Sequence, residues 1–106
     1  MEKRMITLQL NLKPETERRL KRILDDYADN EILAQNIIAY QISELKKAII
    51  NIYVDLKQFE DKYQLGTEQF YEIFEDGSLG DEKDYIIWSG IYEMYLENKR
   101  KLEALE

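Results

Sequence analysis

The chain has 106 residues and a mass of 12.8 kDa, a length that suits one domain and excludes an enzyme with separate cofactor and substrate lobes. Charged residues make up 35% and apolar residues 44%, a balance typical of a folded, soluble protein. There is no Cys and no His, which excludes disulfides, thiolate or imidazole zinc sites, thiol nucleophiles and the commonest general base. No apolar run approaches the roughly 18 residues of a spanning helix, and the N-terminus lacks a signal-peptide pattern, so we expect a cytoplasmic protein.

Charge is distributed unevenly along the chain. Residues 1–22 contain seven basic and three acidic side chains, a net charge of +4, whereas residues 48–106 contain six basic and fourteen acidic ones, a net charge of -8. Ten of the twelve aromatic residues also lie in the second half. This pattern favours two different partners, with a protein-binding surface in the second half, although two solvated faces would give the same distribution.

The first predicted element is a short strand over residues 5–12. Apolar and polar side chains alternate strictly there, with Ile6, Leu8, Leu10 and Leu12 on one face. No later segment alternates in this way, and an unpaired strand leaves its backbone donors and acceptors unsatisfied. We therefore expect the strand to pair with the same strand of a second copy.

A first helix is predicted to begin at Pro14, because proline suits the first helical turn and Glu15 complements the helix dipole. Its apolar face is formed by Leu20, Ile23, Leu24 and Tyr27. A turn follows at residues 28–30, in which Asp29 or Asn30 can cap the next helix.

The strongest pattern predicts one long helix over residues 31–64, a stretch without Pro or Gly. Its apolar residues keep a heptad spacing at Ile38, Ile42, Leu45, Ile49, Ile52, Leu56, Phe59 and Tyr63. Such a stripe packs on another helix, from this chain or from a dimer mate; the alternative is an ordinary amphipathic helix kinked near Asn51.

Two further helices are predicted after Gly66, which ends the long helix. A short one begins at Thr67, an acidic loop covers residues 76–81, and the last helix runs from about Asp84 to Leu105. One side of the last helix is marked by Ile87, Trp88, Ile91, Tyr95, Leu102 and Leu105.

No constellation for catalysis stands out. The stretch at residues 76–84 combines carboxylates with glycine but lacks the ligand spacing of a calcium loop. There is no phosphate-binding glycine loop and no Gly-x-Ser-x-Gly, and no apolar pocket sequence singles out a pair of catalytic carboxylates. We expect no enzyme, no metal, no cofactor, no small-molecule substrate and no membrane association.

The first part of the chain resembles the ribbon-helix-helix repressors. The similarity covers about residues 4–47 and is carried by the strand Gln9-Leu10-Asn11-Leu12-Lys13, by Pro14, by a helix with Leu20 and Leu24, and by a turn before a second apolar helix. It implies an intertwined dimer whose two-stranded ribbon enters the DNA major groove. The DNA-binding residues are then Thr7, Gln9, Asn11 and Lys13, which read bases, together with Arg4 and Asn30.

One departure from that family concerns phosphate binding. The family implies that backbone amides at the start of the second helix, here Asn30 and Glu31, anchor a phosphate. These repressors usually have Gly in the turn and Ser, Thr or Asn entering the helix, whereas this chain reads Ala28-Asp29-Asn30-Glu31, and carboxylates repel phosphate. The alternative is a dimerisation arm whose polar face meets only solvent.

The second part is similar to the C-terminal segment of small bacterial antitoxins. The similarity lies in residues 59–65, in Thr67-Glu68-Gln69-Phe70, in residues 77–81 and in Trp88. In such proteins an acidic, aromatic tail binds and silences a toxin. Many of these toxins act on RNA and have a basic cleft, and the net charge of -8 over residues 48–106 suggests the hypothesis that the tail of this chain occupies such a cleft. The residues that we expect to bind the toxin are Phe70, Phe74, Tyr85, Trp88 and Tyr92, although each aromatic could instead pack between helices.

We therefore predict a mainly α fold in which a ribbon-helix-helix-like N-terminal strand pairs across a homodimer, followed by a long second helix and a C-terminal helical segment. Residues 1–47 would form the dimerisation and DNA-binding head, and residues 48–106 an acidic, toxin-binding segment. The predicted function is an antitoxin of a type II toxin-antitoxin system that neutralises its toxin and represses its own operon. The alternatives are a stand-alone repressor and a helical dimeric adaptor without a toxin partner.

Overall fold

The computed structural model describes residues 2–106, which form four helices: α1 Pro14–Asp26, α2 Asn30–Tyr63, α3 Thr67–Glu75 and α4 Lys83–Leu105. The prediction of a mainly α chain is confirmed. The contacts divide the chain into an N-terminal unit, Met1–Asn36, and a C-terminal unit, Ile37–Glu106. None of the helices in residues 2–106 combines the length and apolar character needed to cross a bilayer.

The predicted ribbon-helix-helix strand pairing is wrong: residues 2–106 contain no strand, and the segment before α1 has no regular secondary structure. A strand is held by backbone hydrogen bonds to a neighbouring strand, and the described chain offers this segment no second one. Its side chains are correspondingly uncovered, with Met5 94%, Ile6 79% and Leu8 71% exposed.

The N-terminal unit has caps and local pairs but no core. Pro14 occupies the first turn of α1, and the Asp29 carboxylate caps α2 by accepting the Glu31 amide at 2.9 Å. Asn36 Nδ2 donates to the Tyr27 hydroxyl at 3.1 Å. No side chain in residues 2–36 is fully buried, because one short helix and the start of another cannot enclose an apolar side chain.

The long helix α2 is helical through Asn51, and its heptad stripe supplies its buried residues Leu45, Ile52 and Leu56. It ends at Tyr63 because Gln64 adopts the left-handed conformation (φ 51°). We predicted that Gly66 ends the helix, but the structure places the break two residues earlier, at Gln64. A residue with a side chain is strained in the left-handed conformation.

In the C-terminal unit, α4 runs antiparallel to the second half of α2. Lys62 pairs with Asp84 at one end of the two helices (2.7 Å), and Lys46 pairs with Glu106 at the other (3.5 Å). The second half of the heptad stripe of α2 therefore finds its partner helix within the same chain, whereas Ile38 near its start is 46% exposed. The loop between α3 and α4 turns at Gly77 and Gly80, whose φ angles of 84° and 78° suit glycine.

The core of the C-terminal unit is aromatic and centres on Trp88 of α4. Its buried members are Ile52, Leu56, Phe70 and Trp88, from three different helices. We predicted Ile87 on the packed side of α4, but Ile87 is 41% exposed. Ile86 is exposed as well, whereas Trp88 is fully buried. Each residue of a helix is rotated by about 100° from the one before it, so the rotation of α4 about its own axis decides that Trp88, and not Ile87, faces the core.

Candidate partner-binding surfaces

The basic side chains of residues 1–22 are exposed without exception. Four of them are displayed by α1, namely Arg18, Arg19, Lys21 and Arg22. Lys21 pairs with Glu17 at 2.8 Å, an exposed i,i+4 contact within the helix. This arrangement can meet an anionic surface without any rearrangement of α1.

The six predicted DNA-binding residues are all exposed, and five of them lie in a segment without regular secondary structure. Asn30 is the first residue of α2, and the other five lie in the segment before α1: Arg4, Thr7, Gln9, Asn11 and Lys13. On the apolar side of that segment, Leu8 and Leu10 are also 71% and 61% exposed. Asn11 and Lys13 line a shallow cleft of about 480 Å³ beside α1.

The amide that the family resemblance assigns to a phosphate is already in use. The Glu31 amide donates to Asp29 Oδ1 at 2.9 Å, so the N-terminus of α2 is neutralised by a carboxylate of the same chain. A phosphate at this position would have to displace that carboxylate.

The predicted toxin-binding aromatics divide into enclosed and partly exposed residues. Trp88 and Phe70 are fully buried (0% exposed) and stack face to face, with ring centroids 3.8 Å apart and an interplanar angle of 4°. Phe59 and Tyr63 of α2 also stack on Trp88, at 5.5 and 5.8 Å. The remaining three, Phe74, Tyr85 and Tyr92, are partly buried around this core and present part of each ring to solvent.

Thr67 joins the three helices of the C-terminal unit at one point. Its hydroxyl accepts a hydrogen bond from Trp88 Nε1 at 3.1 Å, and its backbone amide donates to Glu60 Oε2 at 2.8 Å. Burial works against ionisation of Glu60, but the hydrogen bonds from Thr67 and the charge of Lys57 outweigh it and lower the pKa of Glu60. Glu60 is therefore a charged cap on the N-terminus of α3.

A second polar contact closes the end of α2 onto the start of α4. Asp84 accepts hydrogen bonds from Lys62 and from the Tyr63 hydroxyl. Lys62 and then Tyr63 hold the pKa of Asp84 below its usual range, and the same contact raises the pKa of Tyr63. Lys62 is exposed and Asp84 and Tyr63 are half-buried, so solvent screening limits how much this contact stabilises the fold.

A tyrosine-lined groove of about 370 Å³ lies where the middle of α2, the start of α3 and α4 meet. We call it the tyrosine groove. The side chains relevant to binding are Tyr53, Leu56, Glu60, Glu68, Tyr92 and Tyr95. Tyr92 and Tyr95 stack with centroids 6.2 Å apart, and Tyr53 is 53% exposed at the edge. An aromatic surface with carboxylates at its base and rim can bind a cation.

Of these residues, sequence reasoning singled out only Tyr92 for binding. Tyr53 was counted there among the aromatics of the second half, Tyr95 was placed on the apolar side of the last helix, and Glu60 fell within residues 59–65 of the antitoxin resemblance, but none of the three was assigned a binding role. The seven-residue spacing between Glu60 and Thr67 across Gly66 was the available signal, since a carboxylate in the last turn of one helix can accept the backbone amide that begins the next.

Comparison of the chain with protein families, with curated proteins and with solved structures gives no match.

Proposed function

We propose that the protein is a non-enzymatic cytoplasmic antitoxin, which binds a basic toxin through the C-terminal unit and operator DNA through its basic N-terminal residues. The observation that carries the proposal is the separation of exposed charge along the chain. Residues 1–22 have a net charge of +4 and residues 48–106 one of -8. One chain with these two surfaces is suited to an anionic and a cationic macromolecule at the same time.

The toxin contact would use the outer surface of the C-terminal unit. Because Phe70 and Trp88 are enclosed, their role in this proposal is to hold α3 and α4 in place. Direct contact then falls to the carboxylates and to the aromatics that reach solvent, such as Tyr92 and Tyr85. A toxin that acts on RNA carries a basic cleft, and an acidic helical surface can occupy such a cleft in place of the nucleic acid.

The N-terminal unit supports a further part of the proposal, a homodimer. Large apolar side chains in this unit are widely exposed, including Met5, Ile6, Leu8, Leu10 and Ile32. DNA cannot cover such side chains well, because its backbone is charged, and a soluble monomer rarely leaves so much apolar surface in one region. A second copy of the chain would cover it and would also double the number of basic groups facing DNA.

The test begins with co-expression of the tagged chain with its neighbouring gene. We expect a stable complex with the product of that gene, and we expect the complex to shift promoter DNA of the same operon. The affinity for DNA should fall steeply with salt, with a slope on a double-logarithmic plot of about -0.9 per phosphate contact.

A matched pair of double variants then locates the DNA-binding surface. Arg19→Ala with Arg22→Ala should weaken DNA binding and flatten the salt dependence, whereas Lys47→Ala with Lys101→Ala removes the same charge from the C-terminal unit and should leave both unchanged. Equal effects of the two pairs, or a salt-independent interaction, would contradict a DNA surface in the N-terminal unit.

A helical dimeric adaptor without DNA binding is a second candidate, and the contact between Asp29 and the Glu31 amide favours it, because it places a carboxylate where the family resemblance expects a phosphate. The two candidates differ in one result. A dimer that binds a protein partner but shows no preference for operator DNA over unrelated DNA would favour the adaptor.

A further inference from the structure

The tyrosine groove is built from side chains that favour a cation. Of the side chains that form it, Leu56 is the aliphatic member and is 5% exposed at the base, while Tyr53, Tyr92 and Tyr95 supply ring surface. An apolar guest would find few aliphatic partners here. A planar cation would find ring faces, whose negative electrostatic potential attracts positive charge.

Carboxylates supply the second half of the recognition. Glu60 uses Oε2 to accept the Thr67 amide, and its Oε1 faces Lys57 Nζ at 3.6 Å, so Oε1 keeps capacity for a further donor. Glu68 lies at the rim. A tyrosine is neutral at physiological pH, and burial, and after it the charge of Glu68, raises the pKa of Tyr92 further.

The surroundings of the groove show that its groups attract cations. Lys99 Nζ lies 5.5 Å from the centroid of the Tyr95 ring, a cation–π distance. Lys57 Nζ forms an ion pair with Glu60 Oε1 at 3.6 Å. Both lysines are exposed, so a better-fitting cation can share or replace these contacts.

We infer that the tyrosine groove receives an arginine side chain from a partner protein, with the guanidinium stacked on Tyr53 and Tyr92 and donating to Glu60. Arginine fits better than lysine because its flat guanidinium can stack on a ring and donate to a carboxylate at the same time. The identity of the partner as a toxin rests on the proposed function, but arginine binding by the groove does not.

The direct test is an NMR titration of the full chain with the peptide acetyl-Gly-Arg-Gly-amide. We expect saturable shifts of signals from Tyr53, Glu60 and Tyr92, which weaken as salt is raised. The matched peptide with citrulline in place of arginine has the same shape without the charge and should give no such shifts. Absence of arginine-dependent shifts, or equal shifts from citrulline, would overturn the inference.

Two variants with a matched control assign the contact to the groove. Tyr53→Leu should weaken arginine binding by about twofold to fivefold, the range of an exposed cation–π contact. Glu60→Gln should weaken it as well, while the amide oxygen of Gln still caps α3. Tyr40→Leu is the control, since Tyr40 is a tyrosine of α2 that is 66% exposed outside the groove. An equal loss in Tyr40→Leu would overturn the assignment.

The two proposals can fail separately. If the chain binds its toxin but the arginine peptide gives no shifts, the groove inference is wrong and the antitoxin function stands. If the arginine peptide binds and Tyr53→Leu weakens it, while no toxin complex forms, the groove inference stands and the antitoxin function is wrong.

Discussion

The hydrogen bond between Trp88 and Thr67 offers a sharp test of the C-terminal core. Trp88 Nε1 donates to Thr67 Oγ1 at 3.1 Å, and every buried side-chain N and O atom in residues 2–106 has a hydrogen-bond partner. Thr67→Val keeps the shape of the side chain and removes the acceptor. The indole N–H is then buried without a partner, because Trp88 is 0% exposed.

The expected magnitude follows from that burial. An unsatisfied buried donor lowers the free energy of unfolding by about 1–3 kcal/mol. Thr67→Ser is the matched control, since it keeps the hydroxyl and loses one methyl group, which amounts to about 0.8 kcal/mol. In the background Trp88→Phe the donor is absent, so Thr67→Val should there change stability little or increase it. The coupling between the two positions should therefore be about 1 kcal/mol or more.

The assay is urea unfolding followed by circular dichroism for the wild type, the single variants and the double variant. Trp88 is also the single tryptophan of the chain, so its fluorescence reports directly on its surroundings. A blue-shifted emission in the native protein is expected. If Thr67→Val is as stable as the wild type, or if its effect is the same with Trp88 and with Phe at position 88, the buried hydrogen bond does not contribute as we argue.

Three further predictions concern the ends of α2 and the N-terminal unit. Gln64→Gly should raise the free energy of unfolding by about 0.5–1 kcal/mol in urea unfolding, because glycine adopts the left-handed conformation without strain; a decrease would contradict the strain. Lys62 and Tyr63 lower the pKa of Asp84, so its contribution to stability is present above about pH 4 and is lost as the pH falls through the folded-state pKa. The melting temperature of Asp84→Asn should therefore depend less on acid pH than that of the wild type, whereas the control Asp81→Asn, in the exposed loop, should melt like the wild type. Leu8→Ser should weaken the proposed homodimer by about tenfold or more in analytical ultracentrifugation, since a buried leucine contributes roughly 1.5–3 kcal/mol and both copies lose it, and an unchanged dimer would place the interface elsewhere.

The pattern of the sequence was sufficient for the helices. Continuous heptad spacing without Pro or Gly predicts α2 to within one residue at each end, and the start and end of α4 follow from its flanking loop and its apolar spacing. These are local properties, because helix hydrogen bonds join residues four apart and the apolar period is a property of one segment.

The residue that makes the break after α2 and the state of the N-terminal segment were not determined by local pattern. Gly66 is the better residue for a helix break, but the contacts of α3 with Glu60 and Trp88 place the turn at Gln64. The alternation of residues 5–12 suits a strand, yet a strand exists only with a partner, and the described chain provides none.

The candidate site depended most on tertiary structure. The sequence determined that residues 48–106 are acidic and aromatic, and hence that a protein surface should be sought there. Only packing decided that Phe70 and Trp88 are enclosed while Tyr53 and Tyr92 share a groove. The tyrosine groove joins residues from three helices that lie up to 42 positions apart, between Tyr53 and Tyr95. Which ring is covered and which reaches solvent depends on how the helices cross, and that is a property of the whole unit rather than of any one segment.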